Sequence, residues 1–216
     1  MVSAGDILSG ELEKGAVYLI YGGGGVGKTT LAASAAARVA AGEDAVVWVD
    51  CGGRMYLPRL YQILESRKAD PGRIYISSPS TFQEQTEAVL KIADLMPSRT
   101  ALVVVDDFTY LHRLALTGDV SEDFHIYELL AFQVALLKEV SLDRSISTIL
   151  VGHVHDIPER NVSAPVASRI VTFWADAIAR VVYEGGVRRV EEEKPGRAII
   201  YFKITSEGAV STHSSP

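Results

Sequence analysis

The sequence has 216 residues, 48% of them hydrophobic and 22% charged, which suits one α/β core spanning residues 1–216 and leaves little room for a second. The formal net charge is -6, so the molecule as a whole repels polyanions, and any nucleic-acid contact has to come from a local basic loop. Cys51 is the one cysteine, so no intramolecular disulfide forms. The N-terminus lacks a basic, apolar leader, and no run of about 18 apolar residues occurs. A soluble, cytoplasmic protein with no membrane partner is expected.

In chain order, the apolar run 16–21 reads as a buried strand. Residues 22–29 follow as GGGGVGKT, and an alanine-rich stretch comes next. Strand, glycine loop and helix in this order form a phosphate cradle. Glycines let successive N–H groups turn inward on an anion, and the helix adds the positive end of its dipole. The spacing G-x-x-x-x-G-K-T marks Gly22, Gly23, Gly24, Gly25, Val26, Gly27, Lys28, Thr29 and Thr30 as nucleotide-binding. Lys28 is the catalytic cation that reaches the β- and γ-phosphates, and the Thr29 hydroxyl holds Mg²⁺.

A helix over 29–41 ends at Gly42, and a buried strand follows at 45–50. A helix at about 55–67 and a short strand at 73–76 come next. Thr81 caps a helix running to about 96, with Glu84 completing a capping box. Residues 101–106 are apolar and β-branched up to Asp106, the pattern of a fully buried strand. Ser121 or Asp123 opens a long helix to about 142, and 147–152 is another buried strand. Such strands, alternating with helices, predict a mostly parallel central sheet flanked by helices. Runs at 176–183, 187–192 and 197–205, parted by Gly185-Gly186 and Pro195-Gly196, predict an antiparallel C-terminal hairpin extension of one sheet edge. Arg188 and Arg189 lie close to Glu191, Glu192 and Glu193, which reads as a solvated hairpin.

A phosphate loop needs a carboxylate on a neighbouring strand to steer Mg²⁺, and Asp106 ends the most buried strand, where the crevice of a parallel sheet lies. Asp107, the next residue, points to the other side and reads as a loop or helix-capping group. Hydrolysis also needs a group that orients water. Asp50 is the nearest carboxylate, and it is either catalytic or a strand-end group bonded to backbone amides. In Gly152-His153-Val154-His155, His153 is placed to contact the γ-phosphate and His155 is a loop residue. Zinc wants three or four ligands, and Cys51 is far away in sequence.

Several stretches together resemble the RecA/RadA recombinase superfamily and, within it, the archaeal RadB group. They are residues 5–15 (GDILSGELEKG), Trp48-Val49-Asp50 with Arg59-Leu60, residues 78–85 (SPSTFQEQ), 163–167 (SAPVA) and 200–208 (IYFKITSEG). The resemblance covers nearly the whole chain. It implies a RecA-like P-loop NTPase fold, ATP as the nucleotide, Arg59 near adenine, and an accessory or regulatory role in homologous recombination and DNA repair. It also implies DNA and other recombinase-like or repair proteins as partners, in homo- or hetero-oligomers.

The family's catalytic glutamate falls at Gly52, so ATP binding with slow or absent hydrolysis is expected. Replacing Gly52 with Glu is expected to raise turnover if the local backbone accepts a side chain. His153 stands where recombinases usually have a glutamine. The sequence begins at the core, so neither an N-terminal helical domain nor a phenylalanine-containing linker is expected. The loops that the superfamily turns toward DNA would be 110–119, with His112 and Arg113, and 155–169, with Arg160 and Arg169. Asp119, Glu122, Asp156 and Glu159 oppose these cations, so DNA binding would be weak and salt-sensitive, or these are ordinary solvated loops. Two other readings stand beside this one. One is a ParA/MinD-type partitioning ATPase, since residues 23–30 read GGGVGKTT, although that family's signature lysine falls at Gly23. The other is an ATP-binding scaffold without turnover.

Overall fold

The computed structural model describes residues 2–9, 11–157 and 162–212, with 155–157, 162 and 163 as backbone only. Short β-branched runs alternate with longer helix-forming stretches, and the elements follow that alternation: α1 (Gly5–Ser9), β1 (Val17–Gly22), α2 (Lys28–Ala40), β2 (Ala45–Asp50), α3 (Leu57–Ser66), β3 (Ile74–Ser77), α4 (Phe82–Leu95) and β4 (Thr100–Asp106). They continue with α5 (Tyr110–Ala115), α6 (Val120–Arg144), β5 (Ser147–Ile157), β6 (Val162–Pro165), α7 (Ser168–Trp174), β7 (Ala177–Glu184), β8 (Val187–Lys194), β9 (Ile199–Thr205) and β10 (Gly208–Ser211).

One sheet runs in the order β10-β9-β8-β7-β1-β5-β4-β2-β3, with β6 paired to β5. From β3 across to β7 all neighbours are parallel. From β7 to β10 they are antiparallel. The expected α/β class with a parallel centre and an antiparallel C-terminal extension is therefore the observed one. Two details differ. The run at 176–183 is not only a hairpin arm, because β7 is also the parallel neighbour of β1, with Tyr18 opposite Ala177. The segment 155–169, read as a loop, instead contains the end of β5, its return strand β6 and the start of α7.

The period-two alternation of β1 explains the layering. Tyr18 and Ile20 face a core shared with α2, Trp48, Val104 and Val151. Val17, Leu19 and Tyr21 face the opposite core with Val103, Val105, Leu150 and residues of α4 and α6. Alanines fill the buried side of α2, including Ala32, Ala36, Ala37 and Ala40. Small side chains there let the helix lie close on the sheet.

Asp119, and neither Ser121 nor Asp123, caps α6, accepting from the amides of Ser121 at 2.8 Å and Glu122 at 3.4 Å. Asp123 instead accepts from the Thr117 amide at 2.7 Å. The Thr81 hydroxyl caps α4 through the Glu84 amide, at 3.1 Å, while the Glu84 carboxylate reaches back to the Ser80 amide at 2.7 Å.

Tertiary ties converge on β1 and α2. Lys138 of α6 donates to Asp176 at 2.6 Å and to the Gly15 carbonyl at 3.0 Å. Asp176 also accepts from the Val17 amide at 2.7 Å. The amide of Ala209 in β10 donates 2.7 Å to the Ser34 hydroxyl of α2. The last strand is thus fastened to the helix that follows the glycine loop.

Candidate nucleotide-binding site

The loop sits where strand β1 gives way to helix α2 at the centre of the sheet. Gly27 caps α2 with φ of 110°, a left-handed conformation that costs glycine least. A Cβ there would also stand 2.8 Å from Ile204 Cδ1 of β9, so the tail packs directly beneath the loop. The amides of the loop and the first turn of α2 have no intrahelical acceptors, which makes this end of the helix an anion-binding surface.

Lys28 is buried, and its Nζ donates to the Gly22 carbonyl at 2.9 Å and the Gly23 carbonyl at 2.6 Å. Burial pulls the ammonium below the usual lysine range, while the charges of Asp107 and Asp106 oppose that shift and the charge of Arg54 adds to it. Thr29 is exposed, and its hydroxyl acts on the Asp106 carboxylate beside it. Burial raises the Asp106 carboxyl to about 6. The Thr29 bond and Lys28 work against that rise, and the charges of Asp107 and Asp50 work with it. Lys28 and Thr29 open α2 and Asp106 ends β4, and both Lys28 and Thr29 act on the Asp106 carboxylate. One hydroxyl and one carboxylate leave most of the coordination sphere to water and phosphate oxygens, the donor set Mg²⁺ prefers in nucleotide sites.

Asp107 does what its position suggested. Its Oδ1 accepts from the Thr109 amide at 3.1 Å and hydroxyl at 3.0 Å, and its Oδ2 lies 3.7 Å from an Arg113 nitrogen. Behind this turn, Gln85 of α4 donates to the Phe108 carbonyl at 3.0 Å and to Gln133 of α6 at 2.8 Å. This buried amide chain holds the turn after Asp106 in place.

Asp50 is a correction to the catalytic reading. It is buried, and its Oδ1 accepts from the amides of Arg54 at 2.9 Å and Met55 at 3.1 Å. Its carboxylate shapes the β2-α3 turn. Gly52 in the same turn has φ of 87°, and a Cβ on it would stand 2.4 Å from Tyr110 Cε1. The tyrosine ring is flanked by two cations, with the Arg54 guanidinium 4.8 Å and the Arg113 guanidinium 5.9 Å from its centroid. Neither Arg54 nor Tyr110 belongs to a spaced motif in the sequence. The unusual Gly52-Gly53 pair was the available signal.

Arg59 of α3 sends its guanidinium to the carbonyls of Thr205 and Ser206 in the β9-β10 turn and to Gln62. It also lines a cavity of about 240 Å³ with Thr29, Thr30, Trp48, Arg54 and Tyr56. His153 lies opposite Gly22 in the parallel register of β1 and β5. Its Nδ1 is 3.0 Å from the Val154 carbonyl, and its Nε2 is directed at the loop, 4.0 Å from where a Gly24 Cβ would lie.

Of the four residues named for DNA, His112 and Arg113 lie on α5 and Arg169 on α7. His112 is fully buried between the rings of Phe82 and Tyr127, with both ring nitrogens unpartnered, so it offers no surface to a nucleic acid. Most of segment 110–119 is helix α5 and not the loop that the resemblance implies. Arg113 on that helix is engaged with Asp107 and Tyr110. Arg169 is exposed on α7, and Arg160 lies outside the described residues.

Residues 4–154 match the AAA domain family. The DNA repair and recombination protein RadB of Halobacterium salinarum is 30% identical over 214 residues, covering 94% of this chain and 89% of that protein. RadB of Methanococcus maripaludis is 28% identical over 209 residues, with 94% of both chains covered. A crystal structure of the RadB recombinase superposes with a TM-score of 0.76 at 25% identity, covering 98% of each chain. Fold, phosphate loop and nearly full-length similarity agree, and the chain belongs to the RadB family of RecA-type recombinases within the AAA-domain proteins.

Proposed function

We propose that this chain binds ATP and Mg²⁺ and serves as an accessory or regulatory protein of homologous recombination and DNA repair, with slow or absent ATP hydrolysis. The observation that carries the reading is the convergence of Lys28, Thr29 and Asp106 on the amide-rich end of α2. The loop amides and Lys28 would hold the β- and γ-phosphates, and Thr29 with Asp106 would hold the metal, which neutralises phosphate charge when bound. His153 would contact the terminal phosphate, and Arg59 would line the base end.

Slow turnover is supported by what surrounds the loop. Tyr110 fills the space beside Gly52, and Asp50 is bonded to main-chain amides. Neither arrangement offers a base for the attacking water. DNA contact would be weak and salt-sensitive, through Arg113, Arg160 and Arg169, and other recombinase-like or repair proteins would join it in homo- or hetero-oligomers. Among the described residues no helix is long and apolar enough to cross a membrane. The proposal places the protein in the cytoplasm as one ATPase core.

The test is to titrate the pure protein with Mg²⁺ and ATP by calorimetry, and then to measure DNA affinity with ATP and with ADP. Binding of ATP together with a nucleotide-dependent change in DNA or partner affinity supports the regulatory role. ATP binding with no such change leaves a scaffold, and no ATP binding removes the proposal.

A further inference from the structure

Arg54 stands in the turn between β2 and α3, beside the phosphate loop. Its amide is fixed by Asp50 at 2.9 Å, so the start of the side chain has a defined place. Its guanidinium lies 4.8 Å from the Tyr110 ring centroid. It is exposed and, among the described residues, has no carboxylate in ion-pair range. It shares the cavity of about 240 Å³ with Thr29 and Thr30. Fully buried Trp48 lines the same cavity, and its indole Nε1 has no hydrogen-bond partner. The charge of Arg54 also reaches Lys28, where it disfavours the ammonium.

Lys28 and Arg54 repel one another, Asp107 and Asp106 offset part of that repulsion, and an anion lying between the two cations would be drawn to both. Three carboxylates are close, but none serves Arg54. Asp50 is bonded to amides, Asp106 to Thr29, and Asp107 to Thr109 and Arg113. Stacking on Tyr110 keeps the guanidinium near the loop at little desolvation cost and leaves its N–H groups free to donate.

We infer that Arg54 reads the terminal phosphate of a bound nucleoside triphosphate, and so lets the chain distinguish triphosphate from diphosphate without cleaving it. The inference rests on the nucleotide-binding reading above. The loop amides and Lys28 supply contacts that a diphosphate also receives. A guanidinium adds charge-assisted bonds to the phosphoryl group that only the triphosphate carries. Gly52 makes room for the tyrosine ring, and the ring in turn holds Arg54, so the same residues that leave no place for a hydrolytic glutamate build a sensor instead.

The test is calorimetry with Mg²⁺ and two ligands, ADP and a non-hydrolysable ATP analogue, on the wild-type chain, Arg54→Ala, Arg54→Lys and Lys28→Ala. Arg54→Ala is expected to weaken the analogue by about tenfold to a hundredfold while ADP changes by less than about twofold. Arg54→Lys is expected to fall between, since it keeps the charge and loses the planar fork. Lys28→Ala should weaken both ligands. Equal loss for both ligands in Arg54→Ala, or loss for neither, overturns the assignment of Arg54 while leaving nucleotide binding intact. A wild-type chain that binds neither ligand overturns the nucleotide reading itself and this inference with it. Melting curves for each variant identify any loss due to unfolding, and in that case Arg54→Lys alone decides.

Discussion

A Cβ built on Gly52 would stand 2.4 Å from Tyr110 Cε1 and 2.8 Å from its Cδ1, on a backbone with φ of 87°. Position 52 is closed to any side chain by a ring as well as by its own dihedral. Gly52→Glu is therefore predicted to destabilise the fold by about 2 to 4 kcal/mol, combining left-handed strain with overpacking. It gains no turnover, contrary to what the resemblance alone implied. Urea denaturation and an ATPase assay check both halves. Adding Tyr110→Ala should recover the packing part of the loss and not the backbone part.

Asp106 gives a pH dependence of stability with an unusual sign. Burial holds its carboxyl at about 6, above the ordinary 3.8. The folded state therefore binds the proton more tightly, and stability falls as pH rises from about 4 to 6. Asp106→Asn is predicted to remove this slope and to stabilise the chain at pH 7 by about 2 to 3 kcal/mol. Mg²⁺-dependent nucleotide affinity should drop in the same variant, and in the wild type it should drop below about pH 6, where the carboxyl is neutral. Denaturation curves across pH, with and without nucleotide, separate these effects.

His112 acts over the same window in the opposite sense. Burial holds its imidazole at about 4, below the ordinary 6.5, with Arg113 adding to the shift and Asp123 opposing it. The unfolded state binds the proton more tightly, so stability rises as pH climbs from about 4 to 6.5. His112→Phe keeps the edge-to-face packing with Phe82 and Tyr127 and removes this dependence. The wild-type curve is predicted to be nearly flat between about pH 4 and 6, with Asp106→Asn uncovering a rising slope and His112→Phe a falling one.

Asp50→Asn separates a structural carboxylate from a catalytic one. An amide oxygen replaces only part of what two main-chain N–H groups receive, so a stability loss of about 1 to 2 kcal/mol is predicted. Nucleotide affinity should fall because the β2-α3 turn carries Arg54. Single-turnover hydrolysis of bound ATP should stay unchanged, and a large drop in that rate would restore a catalytic role.

What the sequence made legible was local and spaced. The loop at 22–29, the strand ending in Asp106, the Thr81 cap and the parallel core follow from glycine spacing, β-branched runs and side-chain oxygens, all readable within a few residues. The interior of the site was less legible because it depends on contacts distant in sequence. Tyr110 meets Gly52, Arg59 meets the carbonyls of Thr205 and Ser206, and Ile204 meets Gly27. His112 illustrates the converse, since a histidine beside an arginine after a strand reads as a surface pair until helix α6 is laid over it.

The position of β1 between β5 and β7 has a consequence for biosynthesis. The strand bearing the glycine loop emerges early from the ribosome, yet both of its hydrogen-bonding neighbours are translated in the last third of the message. At ordinary elongation rates that interval lasts roughly ten to thirty seconds. Throughout it the nascent chain carries an apolar strand whose two native neighbours are not yet made.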